Sequence, residues 1–169
     1  STPTFGSVIE KTIKARGYKP VSNLTGHQIG RFLIHAGKSL PNVFHISTAT
    51  VNVSEVYSIE PFVTVANAVG KVEHGREAHI FRFLKRRSLK GVYAQQLLDY
   101  VIKNFQMLPF TERWLQKIVP PAHYKTAFSE LLRSKALMAY PVFVEASSKP
   151  VAQAEHTVVV TEKGCKILT

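Results

Sequence analysis

The spacing of hydrophobic positions changes several times along the chain, and each change predicts a different kind of element. Phe5, Val8, Ile9, Ile13 and Ala15 recur near a helical period, with Thr4 or Ser7 available as a cap and Gly17 as a stop. This predicts a helix over residues 5–16. From Tyr18 to about Ile34 the pattern becomes short extended pieces broken by Gly26 and Gly30, and "EVYSIEPFVTV" (55–65) predicts a strand interrupted by Pro61. "HIFRFLKRRSLKG" (79–91) begins as a strand and then runs into Lys85, Arg86, Arg87 and Lys90, which predicts an exit into solvent.

After Gly91 the period lengthens. Val92, Leu97, Leu98, Val101, Ile102 and Phe105 recur at three and four residues and predict an amphipathic helix that Pro109 ends. "TERWLQKI" (111–118) predicts a second helix capped by Thr111, and the Pro120-Pro121 pair starts a third that reaches about Ala136. "AYPVFVEA" (139–146) returns to strand character, "SSKP" reads as a turn, and two final strands flank Gly164. The expected organisation is an α/β (α+β) chain with residues 1–90 as one region, 91–145 as an inserted helical subdomain and 146–169 as closing strands.

Composition adds limits. With 169 residues and 45% hydrophobic content the chain is long enough for one full domain. Twenty-two Lys and Arg against eleven Asp and Glu leave +11, which favours an acidic partner such as nucleic acid, a ribosome surface or anionic lipid. A lone Cys165 excludes an intrachain disulfide framework and a thiolate metal cluster. No apolar run approaches a membrane span, and "STPTFGSVIEKT" has no signal-peptide pattern, so the expected setting is soluble and cytoplasmic, with no membrane partner.

Three polar residues stand in apolar strand contexts: His27 after Gly26, Glu60 in "YSIEPF" and Glu155 in "VAQAEHTVVV". A carboxylate there loses solvation on burial and needs a cation, a metal or strong donors to stay ionised. Half-solvated antiparallel strands would also accommodate each one singly. Together, one histidine and two glutamates on separate strands offer the nitrogen and carboxylate donors that suit Zn²⁺, Mn²⁺, Fe²⁺ or Co²⁺.

The segments "NLTGHQIGRFLIHAGKSLPNV", "VYSIEPFVT", "LPFTERWL", "YPVFVE" and "AQAEHTVVVTEKGC", in that order, resemble the C-terminal half of type II methionine aminopeptidases, archaeal ones in particular. The resemblance implies half of a pita-bread fold with a winged-helix-like insert, and removal of the N-terminal methionine from nascent proteins. It makes His27, Glu60 and Glu155 ligands to a pair of divalent ions (Co, Mn, Fe or Zn). It makes Glu60 also the proton acceptor for the attacking water, and His35 the catalytic histidine that contacts the substrate peptide. Ile34, His35, Phe62, His79 and Tyr140 fall at positions that line the methionine pocket.

The family's remaining ligands, two aspartates, have no counterpart here, where Asp99 is the single aspartate. The resemblance therefore implies ligands outside this chain and a partner, the N-terminal half of the same enzyme, as a separate chain or a cleaved fragment. Two readings of other classes compete with it. One is a ribosome- or nucleic-acid-binding module using the helical insert and the run Arg82, Lys85, Arg86, Arg87 and Lys90, and the other is a noncatalytic homologue that retains the fold.

Overall fold

The computed structural model describes residues 1–169. The first helix, α1 (Thr2–Lys14), begins earlier than its apolar period suggests because Pro3 sits in the first turn, where its missing N–H costs nothing. Neither Thr4 nor Ser7 caps it. Ser1 occupies the cap position without a side-chain cap bond, and Thr2 is anchored through its N–H to the Ala49 carbonyl at 3.0 Å. Gly17, at φ +78°, turns the chain out of the helix as its position predicted.

Short strands follow: β1 (Tyr18–Pro20), β2 (Thr25–Ile29), β3 (Ser39–Pro41), β4 (Val56–Ile59), β5 (Phe62–Val65) and the long β6 (Val72–Phe83). Next come α2 (Val92–Asn104), β7 (Phe110–Thr111), a 3₁₀ turn over Glu112–Trp114, and α3 (Pro121–Arg133). The chain closes with β8 (Leu137–Glu145), β9 (Val151–Gln153), β10 (His156–Thr161) and β11 (Gly164–Ile167). The helix expected over 111–118 is thus one 3₁₀ turn. Phe110 and Thr111 are drawn into a ladder with Phe81 and Ile80, and too few residues remain before Pro120 to nucleate an α-helix.

The chain divides into two compact units, Ser1–Glu73 with Phe143–Thr169, and His74–Val142. The change of hydrophobic period at Gly91 lies inside the second unit, because β6 carries the chain into that unit before α2 starts. In the second unit α2, the 3₁₀ turn and α3 accompany the sheet β7-β6-β8, a winged-helix-like arrangement. Its core gathers fourteen buried residues, among them Phe81, Leu97, Leu98, Phe110, Leu115, Phe128 and Leu131, with Phe81 and Phe128 edge to face at 5.0 Å.

The first unit holds two antiparallel sheets, β1-β5-β9 and β11-β10-β4-β2-β3. Its clustered core is only Leu40, Tyr57 and Val158, with Phe5, Val51, Ile59 and Val160 packed around them. Three times the chain leaves one sheet and enters the other: between β1 and β2, at Glu60–Pro61 between β4 and β5, and at Ala154–Glu155 between β9 and β10. Pro61 has no N–H to give to a ladder and enforces its break. The breaks at 60–61 and 154–155 face each other, since Ile59 pairs with His156 on one side and Phe62 with Gln153 on the other. Buried Asn42 reaches into this region and donates through Nδ2 to the carbonyls of Leu24 and Glu60, both at 3.0 Å, satisfying acceptors that the breaks take out of the ladders. No helix is long and apolar enough to cross a membrane.

Candidate active site

The register of β2, β4 and β10 decides which side chains share a face. His27 lies opposite Ser58, and Ser58 opposite Thr157. Because strand side chains alternate, Glu60, two residues beyond Ser58, and Glu155, two before Thr157, project to the same side as His27. Gly26 permits the close pairing of β2 with β4, since a Cβ there would stand 2.3 Å from the Ser58 carbonyl oxygen.

His27 Nε2 lies 3.0 Å from Glu60 Oε1, with both side chains 14% exposed. The contact has the distance of an ion pair but not the direction of a hydrogen bond, so Glu60 Oε1 is a buried oxygen without a hydrogen-bond donor. Its partner oxygen Oε2 accepts from Gln153 Nε2 at 3.1 Å. The Glu60 carboxylate raises the pKa of His27 above that of an ordinary imidazole despite desolvation. Burial pushes Glu60 upward, but His27, Ser58 and His35 together outweigh it and hold the carboxyl below its usual range.

His35 stands over His27, with ring centroids 4.2 Å apart and planes tilted by 53°. It is carried there by the return arm of a hairpin in which Gly30 bridges Leu33 and the Ala36 N–H donates to the Gln28 carbonyl. Glu155 is more exposed and accepts from Ser58 Oγ at 2.6 Å. Ile34 and Phe62 are half-buried in the same unit, Ile34 beside His35 and Phe62 at the start of β5. His79 and Tyr140 belong to the other unit, on β6 and β8; His79 is exposed beside Glu77 at 3.2 Å, and Tyr140 is half-buried. No three His, Cys, Asp or Glu side chains close on a single point. In the basic run, Arg86 is paired with Asp99 at 3.3 Å, so part of its charge is engaged within the unit, and Arg82 reaches the neutral Met138 Sδ at 3.9 Å.

Ser58 and Gln153 were not singled out from the sequence. Each stands two residues before a glutamate in a strand, Ser58 before Glu60 and Gln153 before Glu155, and each hydrogen-bonds the other strand's glutamate. Their spacing of two was the available signal.

The donor set suits a divalent ion. A buried carboxylate oxygen without a hydrogen-bond donor and an imidazole nitrogen 3.0 Å from it are of the kinds that would hold one. The opposite ring nitrogen, Nδ1, lies 3.4 Å from the Gln28 carbonyl, a contact that helps to orient the ring.

Solved structures place this fold among mixed α/β proteins of the pita-bread type. The chain superposes on 45% of a thermophilic Arx1 with TM-score 0.79 at 21% identity, 99% of this chain being covered, and on 39% of a methionine aminopeptidase from Thermotoga maritima with TM-score 0.52 at 15% identity and 96% coverage. In sequence it is similar to the methionine aminopeptidases of Methanothermobacter thermautotrophicus, 40% identical over 165 residues, and of Methanocaldococcus jannaschii, 38% identical over 165 residues. Each match takes in 98% of this chain and 54% of the relative, so the chain spans about half the length of the curated relatives it matches. No family model matches it.

Proposed function

We propose that this chain supplies one part of the active site of a metal-dependent methionine aminopeptidase of type II, the C-terminal part, and that an N-terminal part supplies the rest. The observation that carries the reading is the buried pair His27–Glu60, with a donorless carboxylate oxygen, at facing strand breaks that also bear Glu155. His27, Glu60 and Glu155 would hold two divalent ions of the Co, Mn, Fe or Zn class, together with ligands outside this chain. When bound, such ions lower the pKa of water and polarise the scissile carbonyl.

The chain's own residues then divide the work. Glu60, whose carboxyl is held below its usual range, accepts the proton of the attacking water and passes it toward the leaving amine. His35 offers an N–H to the substrate peptide beside the reacting carbonyl. Gln153 and Ser58 fix the second oxygen of Glu60 and one oxygen of Glu155, which sets the directions of the remaining lone pairs. Ile34 and Phe62 line the pocket for the methionine thioether. The substrates are nascent peptides, and the setting is cytoplasmic.

The small core of the first unit, three clustered residues against fourteen in the second, supports a missing covering part. Methionine release from a Met-Ala peptide with Mn²⁺ or Co²⁺ tests this, comparing this chain alone, the chain mixed with the N-terminal part of an archaeal relative, and that mixture with Glu155→Gln. Release by the unaltered mixture only is expected. Release by this chain alone, or an inactive mixture in which the two parts have demonstrably associated, contradicts the reading.

A further inference from the structure

Unit 2, His74–Val142, carries twelve Lys and Arg against four acidic residues, so this 69-residue segment holds +8 of the chain's +11. Three of the four acids are already engaged: Glu77 beside His79, Asp99 with Arg86 and Gln95, and Glu130 with the backbone N–H groups of Lys90 and Gly91. Most of the excess positive charge therefore has no internal counterion. The chain's single tryptophan, Trp114, lies in this unit and is 51% exposed.

Trp114 is held from behind. Its ring meets Phe105 at 5.7 Å, Phe105 stacks on Phe110 at 5.1 Å, and Phe110 is buried against Phe81. The 3₁₀ turn fixes its backbone, with the Leu115 N–H donating to the Glu112 carbonyl at 2.9 Å. Arg113 and Lys117 are exposed on the same short segment, and Lys103 is exposed on the last turn of α2, two residues before Phe105. An exposed apolar ring backed by packed aromatics, with exposed cations on its own segment and two residues from the Phe105 it rests on, has the elements of a platform on which an unpaired base stacks while its flanking phosphates are neutralised.

We infer that Trp114, with Arg113, Lys117 and Lys103, forms a binding site for single-stranded RNA. Duplex RNA is a poorer fit, because its bases are already stacked and would leave the ring without a partner. The site is separate from the basic run after β6, in which Arg86 is already paired. It stands independently of the peptidase reading, since it uses none of the residues assigned to that chemistry.

The lone tryptophan makes the test direct. The full chain is titrated with a short oligouridylate while its tryptophan emission is followed, with heparin as a polyanion that has no bases. Quenching by the RNA and none by heparin is expected. In parallel, anisotropy of labelled RNA should show that Trp114→Ala weakens binding about 5- to 100-fold and that Trp114→Phe, which keeps a ring, recovers most of the loss. Arg113→Ala with Lys117→Ala should reduce the slope of log K against log salt by roughly 1.4, for two phosphate contacts on a single strand. Equal quenching by heparin, emission unchanged at saturating RNA, or Trp114→Phe binding as weakly as Trp114→Ala would overturn the inference. Binding of RNA at unchanged affinity by Trp114→Ala would do the same and place the contact elsewhere on the unit.

Discussion

Replacing Gly26 with alanine is the sharpest local perturbation of the candidate site that leaves every functional side chain in place. The new Cβ would meet the Ser58 carbonyl oxygen at 2.3 Å, the Glu60 nitrogen at 3.2 Å and the Ile59 Cα at 3.3 Å. All three are main-chain atoms, so no side chain can swing aside. To restore ordinary contact β2 must draw back from β4 by about 1 Å, which separates His27 from Glu60. Overpacking of this kind costs about 1–3 kcal/mol, and alanine recovers about 0.4–1 kcal/mol by stiffening the unfolded chain, leaving a net loss of about 1–2 kcal/mol. Urea denaturation should show a midpoint lowered by about 0.5–1 M, given a slope of about 1–3 kcal/mol/M. Amide exchange should localise the damage: protection falls along the β2–β4 ladder from His27 to Ile29 and stays unchanged in α2 and α3, which lie in the other unit. Gly17→Ala is the control, a glycine with no atom within 4 Å of its Cβ but a φ of +78°; it should lose about 1–2 kcal/mol by backbone strain without touching that ladder. An unchanged midpoint with full ladder protection in Gly26→Ala would refute the close pairing on which the site is built.

Asn42→Ala should destabilise the first unit by about 2–4 kcal/mol in the same denaturation experiment, because it leaves the carbonyls of Leu24 and Glu60 buried without their donor. Ser58→Ala should weaken Mn²⁺ binding by this chain mixed with the N-terminal part of an archaeal relative about 10- to 100-fold by calorimetry, since Glu155 loses its 2.6 Å hydrogen bond, while Ser58→Thr retains most of the affinity. Glu145 is held at about 2, chiefly by Ser147, with the backbone N–H groups of Gly70, Lys149 and Ser147 assisting. Its folded value lies below the ordinary carboxylate value, so its stabilising contribution is complete above about pH 4.5 and is lost as pH falls toward 2. Glu145→Gln should therefore flatten the decline in stability across that window, which acid titration followed by circular dichroism would show.

Much of the site was legible because strand chemistry leaves marks in sequence. Pro61 announced a break beside Glu60, Gly26 a break just before His27, and carboxylates among Ile59, Phe62 and Val158 a local expense that something must offset. The pairing of His27 with Glu60 fits that reasoning. What stayed hidden was long-range register. That β4 and β5 enter different sheets, so that the break at 60–61 faces the one at 154–155, depends on pairings between residues about 95 positions apart in the chain. The roles of Ser58, Gln153 and Asn42 follow from that register and could not be reached without it. The 3₁₀ turn at 112–114 was read as a helix because "TERWLQKI" has helical spacing; the strand pair formed by Phe110 and Thr111 overrode it.

The central claim is that His27, Glu60 and Glu155 are ligands of a shared metal centre completed by another part of the enzyme. Anomalous diffraction at the manganese edge, from crystals of this chain bound to the N-terminal part of an archaeal relative, tests it most directly. Two scattering peaks are expected, with His27 Nε2 and carboxylate oxygens of Glu60 and Glu155 at bond distances of about 2.0–2.3 Å. Peaks ligated without these three residues, or a complex whose His27–Glu60 pair remains closed with no ion beside it at saturating Mn²⁺, would contradict it.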